Sequence, residues 1–143
     1  MKIENILLPF DGSTHSTNAT NYCLNLAKLY KAHVTIIFCY DEGNWNLSGI
    51  SDSLLEGIKS NRKLKANEKV KTAGSIFKNQ GVEYRLETVA GLPGDVLTSL
   101  SKSKAYDLII MGSHGHSDIT GLFLGSVTHK VLNTIYCPIL IVP

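Results

Sequence analysis

Cysteine is scarce in this chain and odd in number: Cys23, Cys39 and Cys137 lie far apart, each within an apolar pattern. That excludes a disulfide framework and fits reduced core thiols in a cytoplasmic protein. Charge of one sign is also lacking. A formal net charge of +2 is too small to name a nucleic acid or a membrane surface as partner. No apolar run approaches the length of a membrane span. The opening Met1-Lys2-Ile3-Glu4-Asn5 reaches Pro9 and Asp11 without the apolar stretch of a signal peptide. Asn18-Ala19-Thr20 and Asn46-Leu47-Ser48 match the glycosylation pattern but lack the secretory route that would give it meaning. His15, His33 and His129 are scattered, and no metal-ligand spacing is legible.

What is present is a globular composition: 43% hydrophobic and 18% charged residues over 143 positions, enough to bury a core as one domain, residues 1–143. Ile3 to Pro9 is a continuous apolar run, as expected of a strand covered on both faces in a parallel sheet. Ser13 or Thr14 can cap a following helix whose apolar face is Ala19, Tyr22, Cys23, Leu26, Ala27 and Tyr30. Val34 to Tyr40 reads as the second strand, ended by Asp41-Glu42-Gly43-Asn44. A long polar loop carrying Trp45 comes next, a candidate lid beside a site.

From about Asp52 to Asn79 the pattern is helical, with Leu54, Leu55 and Ile58 early, Ala66, Val70, Ala73 and Phe77 later, and Gly81 as the stop. Val82, Tyr84, Leu86 and Thr88 alternate with charged residues as a half-exposed third strand. Pro93 opens a short helix through Val96, Leu97 and Leu100. Asp107 to Met111 makes a fourth strand, Val127 to Tyr136 a last helix, and Ile139 to Val142 a fifth strand. Strands alternating with helices predict an α/β three-layer sandwich on a mainly parallel sheet with right-handed crossovers.

Ligands of such sheets sit outside the carboxyl ends of the strands, where strand order reverses. Two motifs fall at such ends. Gly112, Gly115, Gly125 and Ser126, spaced G-x2-G-x9-G-S, lie between the fourth strand and the last helix. Backbone N–H groups of a glycine loop supply donors to a phosphate chain without side-chain bulk. Asp11 comes just after the first strand, and a carboxylate is a natural acceptor for a ribose diol. Each has a plainer reading: the glycines as turns, Ser126 or Asp11 as helix caps. The strand, loop and helix in sequence favour the phosphate reading. The order that would bring Asp11 and Gly112 together is not fixed by these residues.

Gly112-Ser113-His114-Gly115, Gly125-Ser126-Val127, the opening Ile6-Leu7-Leu8-Pro9-Phe10-Asp11-Gly12-Ser13 and the ending Cys137-Pro138-Ile139-Leu140-Ile141-Val142 resemble the universal stress protein family over nearly the whole chain. The full glycine pattern resembles its ATP-binding branch. The resemblance implies a Rossmann-like five-stranded sheet in the order 3-2-1-4-5, which sets the first and fourth strands side by side. It implies that Pro9 and Phe10 shape the turn that presents Asp11 to the ribose. It further implies that the main chain at Cys39 meets the adenine edge, that Met111 and Gly112 line adenine and ribose, and that Gly115, Gly125, Ser126 and Val127 wrap the phosphates. The ligand implied is ATP, with Mg²⁺ or without, and AMP or ADP as further candidates. His116-Ser117-Asp118-Ile119-Thr120 stands where many relatives carry arginine, which implies weaker phosphate affinity; His114 and His116 are candidate donors or ordinary surface histidines. The family also implies a regulatory, stress-linked role with unidentified partner proteins and a homodimer paired through residues 139–142.

Neither a catalytic triad nor the P-loop lysine is legible. The sequence therefore names no catalytic residue, and any hydrolysis of ATP is expected to be slow. Three other readings compete. An adenylating or nucleotidyl-transferring enzyme of the same fold lacks its S-G-G-x-D-S or H-I-G-H signature. A flavin module needs a longer chain. A nucleotide-free interaction module would leave the cleft empty.

Overall fold

The computed structural model describes residues 2–43, 49–116, 123–134 and 136–143. The loop around Trp45, the Asn46 glycosylation pattern and Ser117, Asp118, Ile119 and Thr120 lie outside the described residues. The chain runs β1 (Asn5–Pro9), α1 (Thr14–Tyr30), β2 (His33–Tyr40), α2 (Asp52–Phe77), β3 (Tyr84–Ala90), α3 (Pro93–Lys102), β4 (Leu108–Gly112), α4 (Ser126–Leu132) and β5 (Ile139–Val142). The strands form one parallel sheet in the order β3-β2-β1-β4-β5. Chain order therefore reverses between β1 and β4, as the family resemblance implies.

The two-residue period of a strand sorts the core into two layers. Ile6, Leu8, Val34, Ile36 and Ile110 pack on the side of α1 and α2. Leu7, Ile37, Ile109 and Met111 pack on the other side with Leu97 of α3 and Val131 of α4. Ile6, Leu7 and Leu8 are fully buried, which is why this run reads as apolar without alternation.

Helix α1 starts where expected: the Ser13 hydroxyl caps it by accepting the Ser16 N–H at 3.1 Å. Its buried face differs from the one the apolar spacing predicts. Tyr22 and Tyr30 are exposed, and Thr20 and Leu24 are buried instead. The Thr20 hydroxyl donates to the Ser16 carbonyl at 2.8 Å, so it enters the core with its polar group satisfied. Helix α2 ends at Phe77, before the predicted Asn79: Lys78 turns out of the helix at ψ 129°, and Asn79 and Gly81 follow in left-handed backbone, φ 61° and 72°. Its buried residues begin only at Ala66, and Leu54 is exposed. Helix α4 stops at Leu132 rather than running to Tyr136: the Asn133 N–H folds back to the carbonyls of His129 and Val131 and closes the last turn. The third strand starts two residues after Val82.

Main-chain direction alternates along β1 and decides which neighbour each residue can bond. His33 N–H donates to Glu4 and Phe10 N–H donates to Ile37, so Glu4 and Phe10 face β2. Asn5 accepts from Asp107, so by alternation Asn5, Leu7 and Pro9 face β4. Pro9 has no N–H to give. The β1–β4 register accordingly runs through Ile6 with Leu108 and Leu7 with Ile109, and the pairing ends there.

Candidate functional site

Where β1 and β4 part, a cleft opens with about 560 Å³ of empty space, part of it continuous with solvent. Pro9, Phe10, Asp11, Cys39, Met111, Gly112, Gly115 and Val127 all line it. The sequence-predicted residues at the carboxyl ends of β1, β2 and β4, and just beyond β1 and β4, thus converge. Gly125 and Ser126 stand outside this lining, immediately before Val127. Gly125 N–H is already donated to the Ser113 carbonyl at 2.8 Å.

Asp11 sits at the start of α1 with one carboxylate oxygen, Oδ1, accepting the Ser13 N–H at 2.9 Å. Ser13, not Asp11, is the helix cap. Burial opposes the charge on Asp11, but hydrogen bonds from the Ser13 hydroxyl and amide and from the Ser16 hydroxyl, together with the nearby His116 ring, outweigh it and hold the carboxyl below its ordinary pKa. Each hydroxyl has one proton, and these two also reach the carbonyls of His114 at 3.4 Å and Ser13 at 3.0 Å. The Ser13 amide is therefore the fixed part of the arrangement. It leaves Asp11 an ionised acceptor at the cleft.

On β2, His33 and Ile37 use their main-chain groups toward β1, and Tyr40 uses its carbonyl toward β3 by accepting from Gly91 N–H. By the same alternation the N–H and C=O of Cys39 face the β1 side, past the end of β1. Its thiol packs with the α3/α4 layer, and burial pushes its pKa up to about 11. The half-buried side chain packs at the margin of the core while the main chain faces the cleft.

Gly112 is glycine for a reason the motif does not reveal. A Cβ there would lie 2.7 Å from the His15 carbonyl carbon and 2.8 Å from Ser16 N, so α1 packs directly on the end of β4. Beside it the His114 ring lies 5.2 Å from the His15 ring, and His114 Nδ1 is 3.1 Å from Ser113 Oγ. The His116 ring leans over Gly12, its Nε2 3.4 Å from where a Cβ on that residue would be.

His114, a candidate donor from the sequence, also lines the cleft, and Ser16, Ile37, Pro93, Leu97 and Thr128, which sequence reasoning missed, complete the lining. Pro93 and Leu97 come from α3, whose position over the cleft is set by tertiary packing and leaves no local sequence signal. Among the described residues no cluster of three potential metal ligands exists, and no helix is long and apolar enough to cross a membrane.

The model of the universal stress protein family matches residues 2–143. Universal stress protein MJ0531 of Methanocaldococcus jannaschii is 31% identical over 146 aligned residues, covering 96% of this chain and 80% of that one. Among solved structures, that of hypothetical protein MJ0577 shares the fold with a TM-score of 0.85 at 23% identity, covering 99% of this chain and 96% of that one. A universal stress protein in complex with cAMP aligns with a TM-score of 0.72 at 24% identity, over 100% of this chain and 99% of that one. A universal stress protein of Archaeoglobus fulgidus in complex with dAMP aligns with a TM-score of 0.71 at 17% identity, over 100% of both.

Proposed function

The chain belongs to the universal stress protein family, and from that premise we propose that it binds ATP in the β1–β4 cleft and acts as a stress-linked regulator read by partner proteins through its nucleotide state. The observation that carries this reading is the convergence of an ionised Asp11, the Cys39 main chain and the Gly112–Gly115 segment on one cleft at the sheet reversal. In this reading the apolar inner lining of Ile37, Leu97, Pro93 and Met111 holds adenine, and the Cys39 main chain offers one donor and one acceptor to its edge. Pro9 and Phe10 set the turn that aims Asp11 at the ribose. Gly115, Ser126 and Val127 hold the phosphates, and Gly125, its N–H already given to Ser113, admits them by its lack of a side chain.

Mg²⁺ is compatible with this arrangement when carried on the phosphates with its own waters, since it needs few protein ligands. It would supply charge neutralisation there. We assign no residue a catalytic role: the reading is of binding, and groups that hold ground and transition states equally give no acceleration.

A mononucleotide is the second reading, favoured by relatives solved with cAMP and dAMP. β5 is an edge of the sheet, and we extend the proposal to a homodimer paired through residues 139–142, which native mass in solution tests. The free thiols suit a cytoplasmic setting.

Purified protein should release an adenine nucleotide on denaturation, identified by mass analysis. Added ATP at a hundredfold over Kd should stabilise the fold by about 2.7 kcal/mol, roughly 8 °C in Tm. AMP measured beside ATP separates the two readings. Asp11→Ala should lose the greater part of the shift. No released nucleotide together with no shift for either ligand would leave the interaction-module reading in its place.

A further inference from the structure

We infer that Thr128 is a positioning residue of the cleft, fixing the α4 wall against the end of β4 so that the phosphate-side residues are in place before a nucleotide arrives. The inference rests on the nucleotide reading and deepens it.

The Ser113 N–H donates to the Val142 carbonyl of β5 at 2.7 Å. In a trans peptide the carbonyl points opposite to its N–H, so the Gly112 carbonyl, in the same peptide unit, points away from β5 toward the side where β1 has ended. The β1–β4 pairing ends at Leu7 with Ile109, three residues short of Gly112, so it supplies this carbonyl no donor. The Thr128 hydroxyl supplies one, donating to the Gly112 carbonyl at 2.9 Å. Thr128 is 3% exposed and lines the cleft next to Val127. The adjacent peptide is tied as well: the Ser113 carbonyl accepts the Gly125 N–H at 2.8 Å. Successive carbonyls at the end of β4 thus hold the lead-in and the first turn of α4.

The other end of the same contact is equally constrained. α1 presses on Gly112 closely enough to forbid a side chain, so that peptide cannot shift to find another partner without moving Ser13 and, through it, Asp11. A buried acceptor left without its donor is costly, and a wall that wanders lowers the fraction of molecules competent to bind. Valine matches threonine in shape and lacks only the hydroxyl, which makes the substitution a direct probe.

Thr128→Val, Thr128→Ser and wild type are titrated with ATP and with adenosine by calorimetry, with Tm recorded for each. The expected result is ATP binding weakened roughly tenfold in Thr128→Val with adenosine within about twofold, because the wall borders the phosphate side, and near-complete recovery in Thr128→Ser. Should Thr128→Val not yield folded protein, Thr128→Ala carries the same comparison. Unchanged ATP affinity in the hydroxyl-free variants, equal weakening for both ligands, or no recovery with serine overturns the inference while the nucleotide reading stands. Wild-type protein that binds neither ligand overturns both.

Discussion

Replacing Gly112 by alanine tests how tightly α1 is pressed against the end of β4. The added Cβ would meet His15 C at 2.7 Å, Ser16 N at 2.8 Å and His15 Cβ at 2.9 Å. Two of these are main-chain atoms of a helix, which yield only if the helix moves. To bring the 2.7 Å approach to the 3.4 Å at which ordinary contact begins, the first turn of α1 must retreat by roughly 0.7 Å. Overpacking of this kind costs about 1–3 kcal/mol, and for a chain of this length that lowers Tm by roughly 3–10 °C. The retreating turn carries Ser13, whose amide fixes Asp11, so nucleotide affinity should fall together with stability. Thermal and urea denaturation followed by circular dichroism measure the first effect, and calorimetric titration with ATP the second. A variant as stable as wild type, or more stable, would refute the packing argument, because alanine ordinarily stabilises a glycine position that has room for it.

Gly57 offers the opposite case. It lies in α2 with nothing within 4 Å of an added Cβ, so Gly57→Ala should raise stability by about 0.5–1 kcal/mol, read from the urea midpoint. Asp107 accepts the Glu4 and Asn5 N–H groups at 2.9 Å each, which hold its carboxyl below the ordinary 3.8. A depressed pKa adds stability that is present above the unfolded value and lost as pH falls through the folded one. Asp107→Ala should therefore be less stable than wild type near neutral pH, with the gap closing as pH drops below roughly 4; a constant gap would assign the loss to something other than the charge. Burial pushes the thiols of Cys23 and Cys39 up to about 12 and about 11, so in folded protein at mildly alkaline pH both should react with a thiol reagent far more slowly than free cysteine, and at full rate in denaturant. Fast labelling of Cys39 in the folded state would contradict its packing against the α3/α4 layer.

Much of the fold is legible because burial on both faces writes itself into composition: Ile6-Leu7-Leu8 and Ile109-Ile110-Met111 allow little else. Legibility fails where a side chain satisfies itself or a helix lacks a neighbour. Thr20 is buried only because its hydroxyl is spent on its own helix, so the predicted face of α1 takes in Tyr22 and Tyr30 and leaves out Thr20 and Leu24. Leu54, at an apolar position of α2, stays exposed in a stretch where no residue of the helix is fully buried. Asp11 and Gly112 stand out in sequence because each breaks an apolar run at a strand end, and Gly115 because it follows Gly112 in the glycine spacing. Thr128, Pro93 and Leu97 do not, since their part in the cleft comes from segments brought together by strand order. That order comes from the family resemblance and not from the residues themselves. Gly112 reads in sequence as room for a ligand, and its nearest neighbour proves to be the protein's own first helix.

Pro9 closes β1 facing β4 and brings no hydrogen to that side. Any other amino acid in its place would extend a donor toward β4 and invite the two strands to zip a step further, trading open space for an extra rung. An imino acid here works as a wedge: the fissure persists because one strand lacks the means to heal it.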